Sequence, residues 1–121
     1  MKVLIAGSTN WDNYQEIVRK MTVILDDWVR SNDEEKKIVF IHAGSPGAEN
    51  MVTEYIGKTE KFLKQKGYKI KEELVRDRSS FSDVTMIESD PSIALVFGES
   101  PRNRQCVKLL DAMNVPYRYF P

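Results

Sequence analysis

The chain has 121 residues, 41% of them hydrophobic, and its 18 lysines and arginines balance 18 aspartates and glutamates. The length is that of one globular domain, here 1–121; the composition excludes a disordered chain, and the charge balance argues against binding to duplex nucleic acid. Because Cys106 is the only cysteine and no apolar run is long enough to span a membrane, we expect a cytoplasmic protein without a disulfide or a metal cluster.

Strand-like and helix-like segments alternate from the N-terminus onwards. The apolar run 2–6 predicts a strand that is buried on both faces. Asn13 is placed to cap the amphipathic helix that follows. The run 38–42 predicts a second buried strand, and a helix over 46–66 follows it, which Gly67 is suited to end.

The second half of the chain continues the same alternation. Alternating apolar and polar residues over 68–75 predict a strand with one solvated face. A short helix that uses Phe81 is expected next, then a buried strand at 92–98 and a helix that begins near Pro101. The segment 115–120 predicts a last strand at a sheet edge, because its proline has no N–H to donate.

Such an alternation predicts an α/β domain. The expected architecture is an open, mostly parallel sheet of about five strands with helices on both faces. Ligands of such sheets bind at the carboxyl ends of the strands. This rule selects three loops of the sequence, at 7–13, 43–50 and 98–104.

The middle loop contains Gly44, Ser45 and Gly47 just before a predicted helix. A helix that starts here would direct free N–H groups and a partial positive charge at a phosphate, and the glycines would let the backbone come close to it. The same residues also suit an ordinary connection in which Ser45 caps the helix. The spacing of the two glycines is neither that of a P-loop nor that of a dinucleotide-binding turn.

The first and third loops carry the other candidate binding groups. Ser8 and Thr9 offer hydroxyl groups, and Trp11 is able either to stack on a base or to pack over the first helix. In the third loop, Arg102 and Arg104 fall at a helix start, where their charge opposes the helix dipole unless an anion is bound. The alternative is that both arginines are simply solvated.

Two ionisable residues of the middle segment are candidates for chemistry. His42, the only histidine, ends the second strand, where it either takes part in catalysis or forms hydrogen bonds within its loop. Glu49 and Asn50 fall in the first turn of the second helix. A carboxylate is favoured there by the dipole, whether or not it is catalytic.

Two motifs in sequence order resemble a known family. The segments MKVLIAGSTNWDN and IHAGSPGAENMVTEYI resemble the YspA-like branch of the SLOG superfamily of Rossmann-like domains, and a weaker likeness continues through MIESDPSIALVFG. The family pattern is Gly-Ser-Arg with a nearby Trp after the first strand, then His-Gly-Gly-x-x-Gly-Ala-Asp at a helix start. The matching residues are Gly7, Ser8, Trp11, His42, Gly44, Gly47, Ala48 and Glu49.

The resemblance implies a nucleotide or nucleotide-derived ligand and a role as a sensor or binding protein, as in bacterial and phage conflict systems. It also implies self-association, as a homodimer or a larger homo-oligomer. Related members are phosphoribohydrolases that cleave the N-glycosidic bond of a nucleoside monophosphate, so Glu49 is the candidate catalytic carboxylate of an enzymatic alternative. The expected ligand-binding residues are Gly7, Ser8, Thr9, Trp11, His42, Gly44, Ser45, Gly47, Ala48, Asn50, Gly98, Ser100 and Arg102.

The chain departs from the family pattern at several positions. Thr9 stands in place of an arginine, Ala43 in place of the first glycine of the pair, and Glu49 in place of aspartate. The segment GESPRNR replaces the Gly-Gly-x-Gly-Thr element of the phosphoribohydrolases, which supplies the phosphate anchor. Binding without catalysis is therefore the leading hypothesis, followed by the N-glycosidase and by an interaction module without a ligand.

Overall fold

A computed structural model describes residues 1–75 and 82–121. Within these residues strands and helices alternate strictly along the chain. Their bounds are β1 Lys2–Gly7, α1 Tyr14–Arg30, β2 Lys37–His42, α2 Ala48–Gln65, β3 Lys69–Leu74, α3 Ser82–Glu88, β4 Ile93–Phe97, α4 Pro101–Ala112 and β5 Tyr117–Phe120. The predicted short helix corresponds to α3, and the part of that prediction that falls on Phe81 lies outside the described residues.

The five strands form one sheet in the order β3-β2-β1-β4-β5. Every neighbouring pair is parallel, so the prediction of an α/β domain with a mostly parallel sheet is confirmed. The central strand β1 has Val3, Leu4 and Ile5 with no exposed surface, which explains its unbroken apolar run. The strand β5 lies at an edge, as its preceding proline predicts.

Helices cover both faces of the sheet, as predicted. On one face α1 and α2 pack over alternate residues of β1, including Val3 and Ile5. On the other face α3 and α4 pack over Leu4 and Ala6, and Cys106 is buried there. The first two helices and the last two lie on opposite faces because every crossover is right-handed. The chain adds β2 and β3 towards one edge of the sheet and then adds β4 and β5 towards the other edge, which reverses the direction of the crossover.

The start of α2 differs from the prediction. The helix begins at Ala48 rather than at position 46, and its cap is Gly47 rather than Ser45. Gly47 has a φ of 85°, a conformation that cannot continue into a helical turn. The prediction for α1 is confirmed, because the side chain of Asn13 accepts a hydrogen bond from the N–H of Glu16. No helix in the described parts of the chain has the length and apolar character needed to cross a membrane.

Candidate functional site

The three selected loops meet at one end of the sheet. The chain leaves β1 for β2 on one side and later returns to β4 on the other, so the sheet has its topological switch point between β1 and β4. The β1–α1 loop lies between the other two loops. The N–H of Ser8 donates to the carbonyl of Phe97 at 2.8 Å, and the N–H of Ala48 donates to the carbonyl of Ser8 at 3.4 Å.

Three glycines allow this close packing of the loops. A Cβ atom at Gly47 would lie 2.7 Å from the carbonyl oxygen of Thr9, and one at Gly98 would lie 2.7 Å from the Cβ of Ser8. A Cβ atom at Gly7 would overlap the side chain of Ala48. The close approach that we expected a ligand to make at Gly47 is therefore made by the chain's own backbone.

Trp11 packs against the end of the core. Its ring meets the ring of Phe97 edge to face, with 5.7 Å between centroids, and its Nε1 donates to the carbonyl of Asn13 at 2.9 Å. The ring is partly exposed, and Thr9 beside it is exposed. The indole therefore packs on Phe97 of β4, and Trp11 remains partly exposed at the surface of the loop cluster.

Glu49 is a buried carboxylate that links two loops. Its Oε1 accepts a hydrogen bond from the N–H of Ala43 at 2.7 Å, and its Oε2 lies 3.5 Å from Nη1 of Arg102. Within the described residues Oε2 accepts no hydrogen bond, and the side chain has no exposed surface. The carboxylate thus faces protein groups rather than solvent in this structure.

His42 holds the same loop from the other side. Its Nδ1 accepts a hydrogen bond from the N–H of Gly44 at 3.0 Å, which places the ring proton on Nε2. Nε2 in turn donates to Oε2 of Glu72 at 3.0 Å, and the hydroxyl of Thr53 donates to the same oxygen at 2.8 Å. The ring is fully buried. Both ring nitrogens of His42 thus form hydrogen bonds within the protein, one to the loop at Gly44 and one to Glu72 of β3.

The two arginines of the third loop take different positions. Nη1 of Arg102 donates to the hydroxyl of Ser45 at 3.3 Å and also faces Glu49, with 36% of its side chain exposed. Arg104 instead pairs with Glu99 at 3.1 Å on the surface. Side chains that are two residues apart on a helix point in directions that differ by about 200°, so only Arg102 can reach the middle loop.

Asn103 is a site residue that the sequence analysis missed. It is fully buried, and its Nδ2 donates to the carbonyls of Phe97 at 3.0 Å and Gly98 at 2.8 Å, which fixes the end of β4 to the start of α4. Its own N–H donates to the hydroxyl of Ser100 at 3.1 Å. The signal was present in the sequence, because Asn103 precedes Cys106 and Leu110 on the buried face of the predicted helix.

All the predicted site residues lie at this end of the sheet, but they differ in exposure. The exposed or partly exposed ones are Thr9, Trp11, Gly44, Ser45, Gly47, Asn50, Ser100 and Arg102. The buried ones are Gly7, Ser8, His42, Ala48, Glu49 and Gly98. The residues of the first group are at least partly open to solvent, although Gly47 already packs on the backbone of Thr9, and the buried residues support the loops. Comparison of the chain with protein-family models, curated proteins and solved structures gives no match.

Proposed function

We propose that the chain binds a nucleotide or a nucleotide-derived small ligand at the carboxyl ends of its strands, as a sensor or binding protein. The observation that carries this proposal is the position of Arg102. Its guanidinium extends from the third loop to the start of α2, 3.3 Å from the hydroxyl of Ser45. A cation, a hydroxyl and the positive end of a helix dipole are thereby brought to one place.

These groups together suit a phosphate. A guanidinium recognises phosphate oxygens with two parallel hydrogen bonds, and the Ser45 hydroxyl can donate a third. The N–H groups of Glu49 and Asn50 in the first turn of α2 have no backbone acceptor in the described parts of the chain. In this proposal Arg102 supplies the cation that the family pattern places at the position of Thr9.

The remaining exposed groups of the cluster suit the rest of a nucleotide. The exposed part of the Trp11 ring would contact the base or the ribose, and the hydroxyl of Thr9 would hydrogen-bond to it. Gly98 lets the loop that carries Trp11 lie against the end of β4, because a Cβ there would come within 3.2 Å of the indole. The ring is thus held at the topological switch point, where ligands of parallel sheets bind.

The position of Glu49 supports binding over catalysis. Cleavage of an N-glycosidic bond requires a carboxylate that reaches the anomeric carbon. The carboxylate of Glu49 has no exposed surface, and its two oxygens face Ala43 and Arg102. We therefore give Glu49 the role of positioning the middle loop and Arg102.

Thermal unfolding with a panel of ligands tests the proposal. The panel contains AMP, ADP, ADP-ribose, NAD and cyclic nucleotides, with orthophosphate as the control for a simple anion. At about a hundred times the dissociation constant, linkage gives about 2.7 kcal/mol, or a rise of several degrees in Tm for a domain of this size.

The variants Arg102→Gln and Arg104→Gln are a matched pair for the same measurement. We expect Arg102→Gln to reduce the ligand-induced shift strongly, whereas Arg104→Gln retains it because Arg104 pairs with Glu99 on the surface. Arg102→Lys keeps the charge and serves as the folded control. The proposal fails if no nucleotide at millimolar concentration raises Tm. If the two glutamine variants show the same ligand-induced shift, Arg102 is not part of the binding site.

A further inference from the structure

In the described parts of the chain, the outward backbone groups of the edge strand β5 have no backbone partner. The N–H of Gly98 donates to the carbonyl of Phe120 at 2.7 Å, so this residue of β5 faces β4. Successive residues of a strand alternate in direction, which makes Arg118 face β4 as well. The N–H and C=O groups of Tyr117 and Tyr119 therefore point away from the sheet, where the order of strands places no neighbour.

A groove lies beside this edge. It has a volume of about 390 Å³ and runs between α4 and β5. Its lining residues are Glu99, Arg104, Val107, Lys108, Tyr117 and Tyr119. An extended chain added to β5 would direct every second side chain into this groove, in which two tyrosine rings and a valine supply apolar contact.

The opposite edge of the sheet is protected against such pairing. The edge strand β3 reads KIKEEL, with Lys69, Lys71 and Glu73 exposed. Charged side chains on an edge strand, lysines above all, prevent association through its free backbone groups. The strand β5 reads YRYF and has one charged residue, Arg118. The two edges therefore differ in the feature that prevents strand addition.

The charge of Arg118 indicates which strand fits. A second copy of the chain would satisfy the outward groups in the twofold antiparallel register that pairs Tyr117 with Tyr119 of the copy. That register places Arg118 directly opposite Arg118 of the copy, and like charges in this position are destabilising. Lys20 adds a second cation on the same face, with its Nζ 5.0 Å from the centre of the Phe120 ring. The complementary strand carries a carboxylate there.

We propose that β5 is a docking strand for an extended segment of a partner protein, with an acidic residue opposite Arg118 and apolar residues on each side of it. The acidic residue lies on the α1 face of the sheet, and the two apolar residues enter the groove beside α4. This interaction is independent of the ligand proposed above, since it uses the outer edge of β5 rather than the loops at Arg102 and Trp11.

Hydrogen exchange of the backbone amides in the 121-residue chain, followed by NMR, tests the proposal. The probe is a blocked heptapeptide, Ser-Thr-Val-Glu-Val-Thr-Ser, and its control has lysine in place of glutamate. Without peptide, we expect fast exchange at Tyr117 and Tyr119 and slower exchange at Arg118 and Phe120. The acidic peptide should slow exchange at Tyr117 and Tyr119 by about tenfold or more, and the lysine peptide should not.

A pair of charge reversals completes the test. Arg118→Glu should reverse the preference, so that the lysine peptide protects the two amides, whereas Lys71→Glu on the other edge should leave the preference unchanged. The proposal is overturned if millimolar acidic peptide protects neither tyrosine amide, or if both peptides protect them equally. It is also overturned if these amides are protected without peptide and light scattering gives the mass of a dimer, because a second copy then covers the edge.

Discussion

At the scale of a single residue, the carboxylate of Glu49 connects the middle loop of the candidate site to Arg102. One oxygen accepts the N–H of Ala43, and the other faces the guanidinium of Arg102 without a hydrogen bond in the described residues. The loop N–H and the arginine come from segments about sixty residues apart in the sequence. A neutral side chain of the same shape can keep the hydrogen bond from Ala43 but not the attraction to the guanidinium of Arg102.

We predict that Glu49→Gln lowers the free energy of unfolding by about 1–3 kcal/mol. The glutamine oxygen can still accept the N–H of Ala43, but its amide group would then place N–H donors against the donors of Arg102. Urea denaturation measures the change. Glu54→Gln is the control, because Glu54 pairs with Lys58 at 3.1 Å on the exposed face of α2, where such a pair contributes about 0.3–0.5 kcal/mol.

Two results would contradict this account of Glu49. The first is a cost no larger than that of Glu54→Gln, which would mean that the contact between Glu49 and Arg102 contributes nothing. The second is chromatographic detection of free base released from a nucleoside monophosphate by the native chain and not by Glu49→Gln. That result would make Glu49 a catalytic group and the protein an N-glycosidase.

At the scale of elements, the start of α2 is fixed by its contact with the β1–α1 loop. Gly47 combines a φ of 85° with a position where a Cβ would lie 2.7 Å from the carbonyl oxygen of Thr9. We predict that Gly47→Ala lowers the free energy of unfolding by about 2 kcal/mol or more, from backbone strain together with overpacking. The sequence alone predicts only that Gly47 lets the backbone come close to a ligand, whereas the structure gives this glycine a role in stability.

Gly57→Ala is the control within the same helix. Gly57 lies in the middle of α2, and no atom of the described residues lies within 4 Å of its Cβ position, so alanine should stabilise the chain by about 0.5–1 kcal/mol. Both variants are compared by denaturation followed by circular dichroism. If Gly47→Ala is as stable as the native chain, the β1–α1 loop can move away from α2 at little cost.

At the scale of the whole molecule, the fold followed from the sequence more completely than the site did. Apolar runs and helical periodicity are local, and strict alternation leaves few topologies for a parallel sheet. The site depends on contacts between distant loops. Nothing in the sequence distinguishes Arg102, which reaches Ser45, from Arg104, which does not, or predicts Glu72 as the partner of His42. The expected pairing of two copies stays a prediction.

At the scale of the whole molecule, Asp33, which lies between α1 and β2, makes the free energy of unfolding depend on pH in the acid range. The pKa of this carboxyl is lowered from its ordinary value of 3.8, first by the hydrogen bond from Nε1 of Trp28 at 3.0 Å and then by the N–H of Glu35. Because its pKa is lower in the folded chain, ionised Asp33 stabilises the fold above about pH 3.8. That contribution is lost as the pH falls through the lowered value.

We therefore predict that Asp33→Asn makes the stability less dependent on pH below about 4 than it is in the native chain. At pH 7 the variant should be less stable than the native chain, and the difference should shrink as the pH approaches 2. Thermal unfolding across this range measures both effects. Asp12→Asn, at an exposed aspartate of the β1–α1 loop, is the control for the removal of one negative charge at the surface. A constant difference between Asp33→Asn and the native chain at every pH would show that the Trp28 contact contributes through packing rather than through the charge of Asp33.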